Sequence, residues 1–135
     1  MNKEKPFELP LTVRGYEMDA FQHVNNAVYV QYFEHARWMA FRELGPGWLG
    51  GEGESIVVRK LSVEYFAPAK VYDELLVRVW IEKVGRTSLT LHQDLRRADN
   101  DLVLATAEVI AVYLGSDGRP AEVPHSWRGL VELES

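Results

Sequence analysis

The sequence predicts an α+β fold, one long helix packed against one curled antiparallel sheet of five strands. Three observations predict it. A single stretch, from about Val28 to Leu44, repeats apolar residues at spacings of three and four. Five other stretches carry the two-residue alternation of strands. The connections between the last three are short enough for hairpins, which makes those strands antiparallel. A sheet with a single helix to cover one face is a two-layer α+β arrangement.

The first strand is read from Leu9 to Gly15, with Leu9, Leu11 and Val13 inward. Pro10 lacks an N–H and places it at an edge or at a strand start. The polar, turn-prone stretch Asp19 to Tyr29 follows, with Asn25 and Asn26 where a helix needs its first N–H groups satisfied. In the helix, Val28, Tyr29, Tyr32, Phe33, Ala36, Met39, Ala40 and Leu44 form the apolar stripe, widened by Trp38 and Phe41. Glu34 and Arg37, three apart, are expected as a surface pair. Gly45-Pro46-Gly47 ends the helix, and Gly50 to Gly53 makes a loop.

The second strand, Ser55 to Phe66, should turn Val57, Leu61, Val63 and Tyr65 inward. Glu74 to Val84 does the same with Leu75, Val77, Val79 and Ile81, and Gly85-Arg86 marks a turn. Ser88 to Arg96 sets Leu89, Leu91 and Leu95 against Thr90, His92, Asp94 and Arg96. Leu102 to Leu114 is apolar on both faces and reads as a central strand, its alanines suiting the approach of a helix. The opposite face of the sheet, with Arg78, Glu82, Thr90, His92 and Asp94, reads as solvated or lightly covered. The tail beyond Ser116 holds a turn at Asp117-Gly118 and no regular pattern.

Composition narrows the function. At 135 residues, 47% hydrophobic and 26% charged, the chain has globular values and the length of one domain. A net charge of −5 gives no general attraction for nucleic acid. There are no cysteines, which excludes a disulfide scaffold, a thiol nucleophile and a thiolate metal site. The four histidines are scattered, so no metal is expected. No apolar run reaches the roughly 18 residues of a membrane span or follows the first charges, and the expected location is the cytoplasm.

Phosphate-loop, nucleophile-elbow, dinucleotide and zinc-protease signatures are absent. Asp19, just ahead of the helix, is the candidate for chemistry. A helix N-terminus carries about half a positive charge and unpaired N–H donors, which keep a carboxylate ionised and can hold an oxyanion. From residue types alone, capping a turn is the commoner role for such an aspartate. His23 is more often a turn residue than a catalyst. Tyr29, Phe33 and Trp38 line either an acyl pocket or a plain core. Lys83 and Arg86 bracket a tight turn that either meets a phosphate or is a solvated hairpin tip.

The motif Asp19-x-x-x-His23-Val24-Asn25-Asn26-Ala27-x-Tyr29, followed by Tyr32-x-Glu34-x-Ala36-Arg37, resembles the hotdog-fold acyl-CoA thioesterases of the 4-hydroxybenzoyl-CoA thioesterase type. The likeness continues through Tyr65-x-x-Pro68, Tyr72-Asp73-Glu74-Leu75 and Val84 to Ser88, and ends near Trp127-Arg128. It implies a hotdog fold and hydrolysis of acyl-CoA to a free acid and coenzyme A, with no cofactor. Asp19 matches the catalytic aspartate, a nucleophile or general base. Asn26 matches the helix-start position whose N–H polarises the thioester carbonyl. Tyr29 falls beside the acyl slot, and Arg86 with Ser88 in the segment that meets the coenzyme A phosphates, often from a neighbouring subunit. The resemblance further implies a homodimer or homotetramer in which sheets join. Many members have glycine where this chain has Gln22, a position whose backbone angles glutamine adopts at a cost. The alternative is an acyl-CoA binding module without turnover. A hotdog dehydratase would pair a catalytic histidine with an acidic residue in a motif this chain lacks.

Overall fold

The computed structural model describes residues 1–45 and 51–131. Strand β1 (Phe7–Thr12) is followed by a 3-10 turn (Gly15–Glu17) and by helix α1 (Asn26–Glu43). Strands β2 (Ser55–Tyr65), β3 (Glu74–Val84), β4 (Ser88–Arg97) and β5 (Val103–Leu114) come next, then a 3-10 segment (His125–Val131). The strands form one antiparallel sheet in the order β1-β3-β4-β5-β2. This is the α+β hotdog architecture expected. β5 lies inside the sheet between β4 and β2, while β4 is the middle strand.

The helix starts two residues earlier than its apolar pattern. Asn25 has extended ψ, and its side-chain oxygen accepts from Ala27 N at 2.9 Å. Asn26 and Ala27 carry no apolar signal, so periodicity alone starts late. At the other end Gly45 takes a φ of 77°, the left-handed conformation that stops a helix cheaply in glycine. The expected continuation through Pro46-Gly47 and Gly50 lies outside the described residues. Tyr29, Tyr32, Phe33, Ala36 and Ala40 face inward against Leu75, Val77 and Val79 of β3, Leu91 and Leu95 of β4 and Val109 of β5. Phe33 is fully buried, worth about 1.5–3 kcal/mol relative to an exposed ring. The helix backbone comes nearest β3 and β1, so the alanines of β5 do not mark its closest approach.

Several details depart from the alternation. β1 ends at Thr12, and Val13, buried, donates its N–H to Asp73 O beyond the strand. In β2 a bulge between Val58 and Lys60 adds one residue against β5. The bulge reverses the facing of everything before it: Ile56 packs on the core, and Val57 is 45% exposed. Leu61 and Val63 keep the expected inward side. On the outer face, expected to be solvated or lightly covered, Glu82 is exposed and Arg78, Thr90 and His92 are half-buried, while Trp80 and Asp94 are buried. Asp94 receives Arg78 Nε and Nη2 at 2.9 and 2.7 Å and Arg96 Nη2 at 3.2 Å, and the Arg78 guanidinium also stacks over Trp80. A carboxylate so paired can leave water at tolerable cost.

The tail adds a core residue that pattern reading could not place. Trp127 is buried, its ring edge-on to Tyr113 with centroids 5.3 Å apart. The N-terminal ammonium donates to Leu130 O at 3.2 Å, and Ile81 N donates to Met1 O, which ties both chain ends to β3.

Candidate active site

The site is built on the segment between β1 and α1. Met18 and Val24 form an isolated antiparallel bridge, and Asp19 N donates to His23 O at 2.7 Å, so Met18 to Val24 is a tight loop. Closing it so sharply requires a left-handed residue, and Gln22 supplies it with a φ of 66°. That is the position at which the resemblance leads to an expectation of glycine. The loop therefore keeps the glycine-like conformation, at a strain of about 1–2 kcal/mol for a residue with a Cβ.

Asp19 Oδ1 accepts from Phe21 N at 2.8 Å and from His23 N at 3.2 Å. One carboxylate oxygen thus holds the turn, as an aspartate in a tight loop commonly does. Its Oδ2 makes no hydrogen bond among the described residues. The two sequence readings, turn cap and reactive carboxylate, are compatible because they use different oxygens. The backbone of His23, not its ring, meets Asp19.

A buried carboxylate that sequence reading missed fastens this loop to the helix. Glu17 Oε1 accepts from Arg14 N at 2.8 Å and from Tyr32 OH at 2.7 Å, while Oε2 accepts from Arg14 Nη2 at 2.8 Å. Burial pushes the Glu17 carboxyl up, but the hydrogen bonds from the Arg14 side chain, Arg14 N and Tyr32 together hold it below its ordinary value. Burial, reinforced by Glu17, drives the Tyr32 hydroxyl up. Asn25 N also donates to Glu17 O at 2.9 Å. The segment that carries Asp19 is thereby tied to the start of α1 through Glu17. A lone glutamate in a polar stretch carries no periodic signal by which it could be found.

Asn26 is the first helical residue, so its N–H has no carbonyl one turn earlier to donate to. Its carbonyl accepts from Tyr65 OH at 2.9 Å, which joins the helix start to the end of β2. Tyr29 is buried one turn further on. Its hydroxyl accepts from Ala69 N at 2.9 Å, and its ring stands edge-on to Tyr65 at 5.2 Å. Ala69 O in turn accepts from Val24 N at 2.9 Å. Tyr29 therefore braces the wall of the site. Phe33 is sealed in the core and borders no open space.

Arg86 and Ser88 lie elsewhere. Gly85 N donates to Ser88 O at 2.8 Å across the β3–β4 turn, where a Cβ on Gly85 would stand 2.9 Å from Ser88 Oγ. Arg86 is exposed, and its carbonyl accepts from Val123 N. The register shows the separation. Thr12, from which the Asp19 loop departs, pairs with Glu74 at the start of β3, whereas the turn follows Val84 at its end. Ten residue steps of strand cover roughly 34 Å. Asp19 lies in the loop that leads into α1 and Asn26 is the first residue of that helix, whereas Arg86 and Ser88 lie at the opposite end of β3.

The Glu34–Arg37 surface pair is corrected. Arg37 is 8% exposed, and its Nη1 donates to Gln93 Oε1 at 3.1 Å, while Gln93 Nε2 donates to Phe33 O at 2.9 Å. Gln93 was legible in principle, as a polar residue at an inward position between Leu91 and Leu95. Trp38, counted toward the apolar stripe, is 71% exposed. Among the described residues no cluster of His, Asp or Glu could hold a metal ion, and no helix is long and apolar enough to cross a membrane.

Comparison with known proteins identifies the family. The family model of the thioesterase superfamily matches residues 21–104, a span that opens just after Asp19 and contains Asn26, Tyr29, Arg86 and Ser88. The acyl-CoA thioester hydrolase YbgC of Escherichia coli O6:H1 is 37% identical over 78% of this chain and 80% of its own length. The chloroplastic acyl-acyl carrier protein thioesterase ATL3 of Arabidopsis thaliana is 29% identical over 90% of this chain, which spans 65% of that relative's length. Among solved structures, a thioesterase from Thermus thermophilus, complexed with coenzyme A and Zn, superposes with a TM-score of 0.79 at 32% identity, covering 93% of this chain and 97% of that one. The chain belongs to the thioesterase superfamily.

Proposed function

We propose that the protein is an acyl-CoA thioesterase, hydrolysing the thioester to a free acid and coenzyme A. The observation that carries this reading is the division of labour at Asp19. One oxygen is tied into the loop, and the other is unengaged in the segment that leads into α1. The thioester carbonyl is placed against the Asn26 N–H, where the helix dipole and an unpaired donor favour the negative charge that develops on its oxygen. Asp19 Oδ2 either attacks the carbonyl carbon or removes a proton from an attacking water. The tetrahedral species collapses by breaking the C–S bond, and the thiolate takes up a proton. In the first route a water then hydrolyses the acyl anhydride, releasing the free acid and regenerating the Asp19 carboxylate. Tyr29, through Ala69, keeps the wall of the site in place.

Arg86 and Ser88 are assigned to the coenzyme A phosphates, which a cation on an otherwise acidic chain suits. Their distance from Asp19 within one chain supports a site completed by a second copy. β2 offers an edge for that pairing: it is hydrogen-bonded on one side only, with Val57 and Val58 about half exposed. The other edge, β1, carries Pro10 and the outward Glu8, features that discourage pairing. A homodimer or a tetramer of such dimers, located in the cytoplasm, completes the proposal. The names of the similar proteins support coenzyme A and acyl carrier protein alike as carrier, and the Arg86 assignment favours coenzyme A.

The test is thiol release from a panel of acyl-CoA substrates. Asp19→Asn should keep the loop's acceptor oxygen and remain folded, yet lose roughly 10²–10⁴ in kcat, the range for removing a positioned base. Full turnover by that variant would discard Asp19. Saturable binding without turnover by the unaltered protein would instead make it a binding module.

A further inference from the structure

The chain beyond β5 turns back and is fastened to the end of the sheet that lies away from Asp19. Leu114 and Pro120 form an isolated antiparallel bridge, and Ala121 N donates to Tyr113 O at 3.1 Å, so this segment first returns along the end of β5. Val123, buried, then donates its N–H to Arg86 O at 2.8 Å in the β3–β4 turn. Trp127 follows into the core, its ring edge-on to Tyr113. The same turn is also held from β5, where Tyr113 N donates to Thr87 O at 2.9 Å. Two consecutive carbonyls of the turn, those of Arg86 and Thr87, are therefore tied to neighbouring chain.

A short hairpin does not need these ties to form, because the bond from Gly85 N to Ser88 O already closes it. What they add is a fixed backbone on which Arg86 is carried. The Arg86 side chain is exposed and forms no ion pair among the described residues, so that backbone decides where its guanidinium can reach. A phosphate contact made from a mobile turn loses affinity to the ordering of the turn, whereas a turn already fixed loses little. We infer that the segment from Leu114 to Val123 is a brace that fixes the β3–β4 turn for the phosphates of coenzyme A. Val123 is its positioning residue, acting on Arg86 through a backbone N–H. This inference rests on the assignment of Arg86 to those phosphates. The plainer role of the tail, closing the core with Val123 and Trp127, acts on the whole fold and does not distinguish one end of the ligand from the other.

The experiment compares an acyl-CoA with the matching acyl-pantetheine, which presents the same thioester without the phosphates and the nucleoside. Each is measured with the unaltered protein, with Val123→Pro, which deletes the N–H, and with Val123→Ala, which trims the side chain and keeps the N–H. The unaltered protein should favour acyl-CoA by roughly tenfold in kcat/KM, the effect of one hydrogen bond to a charged group. Val123→Pro should lose most of that preference through a higher KM for acyl-CoA, with kcat and the turnover of acyl-pantetheine little changed. Val123→Ala should keep the preference despite a lower Tm. A preference retained in Val123→Pro, or lost equally in Val123→Ala, overturns the inference and leaves the Arg86 assignment intact. No preference in the unaltered protein overturns both and leaves hydrolysis at Asp19 standing. If neither thioester is turned over, calorimetry with coenzyme A and pantetheine makes the same comparison on binding alone. If Val123→Pro does not fold, hydrogen exchange of the unaltered protein decides. Coenzyme A should then slow exchange of the Val123 N–H more than pantetheine does at equal saturation, and equal protection overturns the inference.

Discussion

Replacing Tyr32 with phenylalanine tests how the Asp19 loop is held. The change keeps the ring that packs in the core and deletes only the hydroxyl that donates to Glu17 Oε1 at 2.7 Å. A hydrogen bond to a charged group contributes about 1.5–3 kcal/mol. Oε1 still accepts from Arg14 N, so the carboxylate is not orphaned, and the lower part of that range applies, about 1.5–2 kcal/mol. For a chain of this size that lowers Tm by roughly 5–8 °C. Acidity adds a sign that a packing defect would not show. Glu17 titrates below its ordinary value in the folded protein, so its contribution is present above the unfolded carboxylate range and is lost as pH falls through the folded value. The Tyr32 bond is part of that contribution, so the stability gap between the two proteins should narrow on acidification. Denaturant unfolding monitored at neutral and acidic pH reads both quantities. Equal midpoints at neutral pH, or a gap that stays constant into acid, would refute the clamp. If the clamp holds, thiol release by the variant at neutral pH should show a several-fold lower kcat.

Two further predictions concern the same machinery. Gln22→Gly removes the left-handed strain of about 1–2 kcal/mol and restores unfolded-chain freedom of about 0.4–1 kcal/mol, so the variant should be more stable by up to about 1.5 kcal/mol in denaturant titration. A destabilised variant would mean that the glutamine side chain makes up for its backbone. Arg86→Ala should raise KM for acyl-CoA with little change in kcat and should leave stability untouched, because its side chain is exposed and only its carbonyl supports Val123. A loss confined to kcat would move Arg86 from phosphate binding to the reacting atoms.

Much of the site was legible because its signals are local. Asp19 in a turn, Asn25 as a cap and Asn26 at a helix start depend on neighbours a few residues away, and the structure has Asp19 in a tight loop, Asn25 capping α1 and Asn26 as its first residue. Gln22 was visible as a departure from glycine, but not its outcome. The chain takes the left-handed angle anyway, because the Met18–Val24 bridge and two hydrogen bonds to Asp19 Oδ1 outweigh the strain. Arg37 and Trp38 were misjudged for one reason. Helical periodicity gives an angle around the axis, but the sheet curls beside the helix, so its edge decides which flank is covered.

By itself the sequence determined the succession of strand, loop, helix and four strands, the hairpins that make the sheet antiparallel, and the loop at which a carboxylate meets a helix start. These follow from spacings of two and of three to four residues and from turn chemistry, all short-range along the chain. Only the tertiary structure decided the rest. The β2 bulge exposed Val57, the Glu17–Tyr32 contact tied the loop to the helix, and Trp127 entered the core. The sheet register set Arg86 at the end opposite Asp19. Each joins residues far apart in sequence, where the outcome depends on which surfaces remain uncovered once the sheet has closed around the helix. No local pattern encodes that.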